Sequence, residues 1–290
     1  MENLRGAGLM VLAMGLFALE DMFVKRATGA LPVGEVLILF GLGGTAVFAS
    51  LALGAGQGIW HRAVASRLML LKAAFEITGR LGYTLGIALT PLSNASAILQ
   101  ATPLVVVAGA ALLFREKVGP RRWAAIAVGF VGVLVILRPG LEGFVPAALW
   151  TVLGLLGFAG RDLATRAAPK VLTNFQLGIY GFAALVPAGA IILAVTGGAA
   201  PPHPDALWPI AGAVAVGVAA YWALTAAMRM GDVSVITPFR YTRLVFALIL
   251  GVLVFGERPD AATLAGAALV VASGVYTLLR SARNQRQSPR

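Results

Sequence analysis

Long apolar runs, each about the length that carries an α-helix across a bilayer, alternate with short polar breaks along the 290-residue chain. They predict ten helical spans, at about 4–26, 33–54, 67–89, 93–114, 121–138, 147–167, 173–195, 206–230, 234–255 and 260–280. The breaks have a physical cause. Leu31-Pro32, Thr90-Pro91, Gly119-Pro120, Pro139-Gly140, Pro201-Pro202 and Arg258-Pro259-Asp260 all place proline, which fixes φ and lacks an N–H, where a helix ends. The first segment does not read as a cleaved signal, because it is too long, carries Glu20 and Asp21 and shows no small-residue cleavage site. The fold expected is an all-α integral membrane protein of ten transmembrane helices.

Composition narrows the classes. With 59% hydrophobic and 12% charged residues, a water-soluble fold is excluded. The 35 glycines suit close approach of helix backbones in lipid. With no cysteine, disulfides, thiolate chemistry and Cys-ligated metals are absent. The net charge of +11 does not point to nucleic acid, because the basic residues lie singly in short loops and no basic face is interleaved with aromatics. Their distribution instead sets an orientation. With the N-terminus inside, Arg5, Arg62, Arg67, Lys72, Arg115, Lys117, Arg121, Arg122, Arg166, Lys170, Arg229 and the tail arginines 280, 283, 286 and 290 fall on the cytoplasmic side. Lys25, Arg26, Arg138 and Arg258 fall outside, so both termini of this multi-pass chain are expected in the cytoplasm, at the inner membrane.

Sliding the chain against itself by 141 residues aligns Asp21 with Asp162, Lys25 with Arg166, Thr84 with Thr225, Ser93 with Ser234, Glu116 with Glu257 and Lys117 with Arg258. Rare polar residues matching at one offset mark a repeat. The halves are 1–141 and 142–280, followed by a basic tail, 281–290. Five spans per half is an odd number, so the second half lies upside down, as in secondary transporters whose site forms between inverted halves near the midplane.

Phe114-Arg115-Glu116-Lys117-Val118 and Phe255-Gly256-Glu257-Arg258-Pro259, each closing the fourth span of a half before a Gly-containing fifth, resemble the paired signature of EamA-type proteins of the drug/metabolite transporter superfamily. Within it the chain is most similar to YddG-type exporters of aromatic and other amino acids. That resemblance implies a secondary transporter working by alternating access, a cavity lined by spans 1, 3, 4, 6, 8 and 9, and peripheral spans 5 and 10 that would suit a homodimer contact. A broad-specificity drug or metabolite exporter is the alternative.

Ionisable groups at span depth are costly and mark pathways. Glu76 and Arg80 stand four apart in span 3, where the other half has Gly217 and Tyr221. Arg240 and Arg243 in span 9 replace Leu99 and Thr102. A substrate has no two-fold symmetry, so residues that break the repeat are the candidates for recognising it. Arg243, with Arg240 as second choice, is the candidate carboxylate clamp. Glu76 or Gln100 would receive an ammonium, and Tyr83, Tyr221, Trp222 and Tyr241 would pack on a side chain. If Arg243 is structural instead, its expected partner is Glu76. Glu20 and Asp21 are candidate proton-coupling acids. Asp21 with Lys25, and Asp162 with Arg166, have the spacing of pairs on one helix face; Glu116 and Glu257 read as turn and interface groups. Pro103 and Pro238 interrupt spans 4 and 9 and make them candidate moving parts. An enzyme is not expected, since both histidines, His61 and His203, lie in loops, and neither a metal cluster nor a cofactor motif appears. The partners expected are the bilayer, a small-molecule substrate such as an amino acid, and H+.

Overall fold

A computed structural model describes residues 2–113, 119–138, 144–166, 171–198, 204–229 and 237–287. Among these, the elements are α-helices and short 3-10 turns, without strands: α1 (Glu2–Thr28), α2 (Val33–Gly54), α3 (Arg67–Leu89), α4 (Leu92–Leu99), α5 (Thr102–Leu113), α6 (Pro120–Leu137), α7 (Ala148–Arg166), α8 (Asn174–Ala183), α9 (Leu185–Thr196), α10 (Pro204–Arg229), α11 (Thr242–Phe255) and α12 (Ala261–Gln287). A 3-10 turn, Thr237–Tyr241, leads into α11. Among the described residues, four segments, Leu4–Thr28, Val33–Gly54, Asn174–Thr196 and Leu207–Ala227, are long and apolar enough to cross a membrane, and shorter apolar helices accompany them.

Proline chemistry explains where the helices break. The expected span 4 is split into α4 and α5 around Gln100 and Ala101. Pro103 lacks the N–H that would reach the Leu99 carbonyl, and the Thr102 hydroxyl takes that oxygen instead, at 2.6 Å. The expected span 7 is likewise split, at Ala184. Pro187 there leaves the carbonyl four residues back without its helical donor. Pro238 does not kink the middle of a helix but lies in the 3-10 turn that precedes α11.

The packing is pairwise. α1 lies along α10 and α3 along α7, while α2 meets α8 and α9, α4 meets α11, and α6 meets α12. Under the shift of 141 residues the first two pairs exchange, and the contacts of α2 with α8–α9 and of α6 with α12 each map onto themselves. Small residues set the distances. A Cβ on Gly82 would stand 2.5 Å from the Gly154 nitrogen, and one on Gly154 would stand 2.6 Å from the Tyr83 nitrogen. Gly82→Ala is therefore expected to force α3 and α7 apart at a cost of about 1–3 kcal/mol, as overpacking does. Thermal unfolding in detergent reads it, and a variant as stable as the parent would contradict the close approach.

Candidate functional site

Charged side chains and one tyrosine from five elements meet in the bundle. α1 supplies Glu20 and Asp21, α3 supplies Lys72, Glu76, Arg80 and Tyr83, and α7 supplies Arg161 and Asp162. Arg240 comes from the 3-10 turn and Arg243 from α11.

Two ion-pair groups form. In the first, Arg243 grips Asp21 from two nitrogens, Nη2 at 2.7 and 2.9 Å and Nε at 3.2 Å. The Tyr83 hydroxyl donates to the same carboxylate at 3.0 Å. The Arg243 guanidinium also lies over the rings of Phe17 and Tyr83, 5.1 and 5.5 Å from their centroids. In the second group, Arg80 Nη1 donates to Glu20 Oε1 at 2.9 Å. Glu76 faces three cations, Arg161 at 3.2 Å, Lys72 at 3.7 Å and Arg80 at 3.8 Å. Arg161 turns Nε and Nη2 onto Asp162 Oδ1 at 2.9 and 2.8 Å, and Arg240 approaches Asp162 Oδ2 at 3.7 Å.

Among the described residues this set has four acids, Glu20, Asp21, Glu76 and Asp162, and five bases, Lys72, Arg80, Arg161, Arg240 and Arg243. Buried charges need matching, and among the described residues the bases of this set outnumber its acids by one. Arg240 is the least engaged, with a side chain 27% exposed against 16% for Arg243. The carboxylates differ too. Asp21 has both oxygens bonded, whereas Glu20 Oε2 is buried without a partner.

Several expected pairings are corrected by this geometry. Asp21 pairs with Arg243 rather than with Lys25, and Arg243 pairs with Asp21 rather than with Glu76. Spacing on one helix brings side chains near each other, but Asp21 faces α11 while Lys25 reaches the end of the bundle. Lys72 is not a loop charge; it lies inside α3, 6% exposed, beside Glu76. Arg161 was not singled out by sequence, although a signal existed, because at the 141-residue offset it stands opposite Glu20 with reversed sign.

The four aromatic residues do not form one cluster. Tyr83 packs edge-on against Phe158, with centroids 6.0 Å apart, while Tyr221 joins Phe48 and Phe182 at 5.6 and 6.4 Å. Trp222 is 51% exposed and stands outside those ring groups. Tyr241 is buried with its hydroxyl against Gly274 of α12. Gln100 is buried at the α4–α5 break. Glu116 with the rest of the first signature, His203, and the side chains of Arg166, Thr237, Pro238 and the tail arginines lie outside the described residues.

One end of the bundle is tied together. Pro91 offers α4 no side-chain cap, and Glu257 supplies one from the far half. Its Oε1 accepts the Leu92 N–H at 2.6 Å, and its Oε2 accepts the Ser93 N–H and hydroxyl at 3.0 and 2.7 Å. A carboxylate is the ideal group at a helix N-terminus, where unpaired N–H groups and the helix dipole both favour negative charge. Gly256, at φ 64°, makes the turn that aims Glu257 back. Lys25 lies 3.5 Å from Glu257 and donates to the carbonyls of Thr90 and Ile87 at 2.6 and 3.1 Å. At the same end Arg138 pairs with Asp260, which caps α12 through the Thr263 N–H at 2.8 Å. The Arg138 hydrogen bond, followed by those from Thr263, holds the Asp260 carboxyl down at about 2.

No group of three or more metal-ligating residues occurs among the described residues. His61 caps a 3-10 turn, its Nδ1 accepting the Ala63 N–H at 3.1 Å.

A riboflavin transporter of Rhizobium johnstonii is 30% identical over 75% of this chain and 72% of its own. An S-adenosylmethionine uptake transporter of Rickettsia bellii is 27% identical over 72% and 71%, and a pseudopaline exporter of Pseudomonas aeruginosa is 27% identical over 92% and 93%. A protein of known crystal structure shares the fold, with a TM-score of 0.61 at 19% identity over 93% of this chain and 98% of that one. The model of the EamA-like transporter family matches twice, at residues 4–138 and 145–279. Apolar helices packed in exchangeable pairs, ion pairs gathered between them, relatives named as transporters rather than enzymes and this double match place the chain in the EamA-like transporter family, as a multi-pass membrane protein.

Proposed function

We propose that the protein exports amino acids, aromatic and other neutral ones, or metabolites that carry an amino-acid end, across the inner membrane by alternating access. In this reading the chain makes ten spans, with α4–α5 and α8–α9 each forming one broken span. Residues 1–141 and 142–280 are the inverted halves, 281–290 the tail, and both termini are cytoplasmic. The paired helix contacts that survive exchange of the halves support it. The Glu257 end is then the outer end, closed in this conformation, and the hairpins of spans 3–4 and 8–9 are the parts that rock.

The observation that carries the substrate reading is Arg240, part-exposed beside this set and held among the described residues by one contact, to Asp162 at 3.7 Å. A substrate carboxylate would accept a charge-assisted bidentate bond from it. Arg240, held by one contact at 3.7 Å, is free to give that bond at less cost than Arg243, whose donors are committed to Asp21. S-adenosylmethionine, carried by the Rickettsia relatives, is itself an amino-acid derivative. The test is counterflow in proteoliposomes with a panel of labelled amino acids, riboflavin and S-adenosylmethionine. Exchange of amino acids is expected; exchange of riboflavin with none of any amino acid would refute the reading.

A further inference from the structure

We infer that the segment joining α2 to α3 carries a site for the phosphate of an anionic phospholipid headgroup, formed by Arg62 and Arg67 with Trp60 seated in the lipid interface beside them. The site rests on membrane placement alone and not on the substrate reading. The segment takes no part in the charged set between the helices, yet it is held in one shape. Gln176 Nε2 of α8 donates to the Gly58 carbonyl at 2.9 Å. The Tyr180 hydroxyl donates to the Ile59 carbonyl at 2.8 Å and accepts the His61 N–H at 3.2 Å. A 3-10 turn, Arg62–Ala65, follows, capped by His61, and Ser66 then caps α3 through the Met69 N–H at 3.4 Å.

The backbone brings these side chains to one face. His61 is extended, at φ −136° and ψ 133°, so Trp60 and Arg62 on either side of it point the same way. Side chains three apart in a 3-10 turn eclipse, which stacks Ala65 on Arg62. Ser66 is extended again and brings Arg67 back to the exposed side. Exposure follows the same pattern: Trp60, Arg62, Ala65 and Arg67 are exposed, whereas His61, Ala63, Val64 and Ser66 are half-buried. Trp60 is 71% exposed. A large ring held out rigidly suits the boundary between water and lipid, where tryptophan is favoured. Neither arginine has a side-chain partner among the described residues, and no Asp or Glu occurs between Glu35 and Glu76. Ala65, between them on this face, has no side chain beyond Cβ to fill the gap, and the N-terminus of α3 beside Arg67 adds partial positive charge. Guanidinium groups grip phosphate oxygens bidentately. In a multi-pass membrane protein, the anion within reach of a helix end that also carries an exposed tryptophan is a lipid headgroup.

Trp60 itself is the reporter. The full-length parent and Arg62→Gln/Arg67→Gln, each with and without Trp60→Phe, are reconstituted in phosphatidylcholine bilayers. These are doped with phosphatidylglycerol or phosphatidylcholine brominated high on the acyl chain, and the quenching lost with Trp60→Phe measures lipid next to Trp60. In the parent, brominated phosphatidylglycerol should quench Trp60 at a membrane fraction about tenfold lower or more than brominated phosphatidylcholine, since each arginine favours an anionic lipid about fivefold. The double variant should lose that preference and keep its quenching by phosphatidylcholine. Both side chains are exposed, so the fold does not depend on them. Equal quenching by the two lipids in the parent, or undiminished preference in the double variant, overturns the site. Absence of Trp60 quenching by either lipid overturns it too, because the face would then lie away from lipid. Relief of the quenching by soluble glycerol phosphate would mean a site for a free phosphate ester and would likewise overturn it.

Discussion

Arg243→Gln is expected to destabilise the protein by about 3–5 kcal/mol, because it leaves the Asp21 carboxylate buried without its counter-ion. Asp21 is 2% exposed, and of its partners only the Tyr83 hydroxyl would remain. Removing both charges should cost far less than removing one, since a buried pair replaced by neutral groups is often close to neutral in stability. The double variant Asp21→Asn/Arg243→Gln should thus recover most of the loss. A double-mutant cycle on thermal unfolding in detergent checks this. If the two single effects simply add, Arg243 and Asp21 are not coupled and the pairing is wrong.

Glu257→Ala is expected to shift the carrier towards a state open at the Glu257 end. The substitution removes the acceptor of three hydrogen bonds to α4 and the counter-ion of Lys25. Hydrogen bonds to a charged group are worth about 1.5–3 kcal/mol each, whereas in an opened state water can satisfy the same N–H groups. The cysteine-free sequence gives a clean reporter. Ser96→Cys, at a position 0% exposed on α4, should react with a membrane-impermeant maleimide added on the side that the Glu257 end faces about tenfold or more faster when Glu257 is Ala, the change that about 1.4 kcal/mol brings. Equal labelling rates would mean that Glu257 is only a helix cap and holds nothing closed.

These expectations show what the residue pattern could and could not convey. The spans at 33–54 and 67–89 have the limits of α2 and α3, because proline and glycine act on the backbone locally. The split of the seventh span was equally local in origin, at Pro187, but an unbroken hydropathy profile hid it. Ion pairing was a different matter. The i,i+4 spacing of Asp21 and Lys25 is a statement about one helix, whereas their partners, Arg243 and Glu257, are 222 and 232 residues away in sequence. Arg161 could have been found from its reversed sign opposite Glu20. The bare oxygen of Glu20 could not, since it depends on which side chain a neighbouring helix lacks.

The central claim is that Arg240, loosely held by Asp162, recognises a carboxylate. Its most direct test is transport of L-phenylalanine and of phenethylamine, which lacks the carboxylate, by the parent and by Arg240→Gln in the same proteoliposomes. The parent should favour phenylalanine by about tenfold or more, as one bidentate charge-assisted contact implies, and Arg240→Gln should lose that preference while phenethylamine flux stays as it was. Undiminished phenylalanine preference in Arg240→Gln, or parallel loss of both fluxes in a folded variant, would contradict the account.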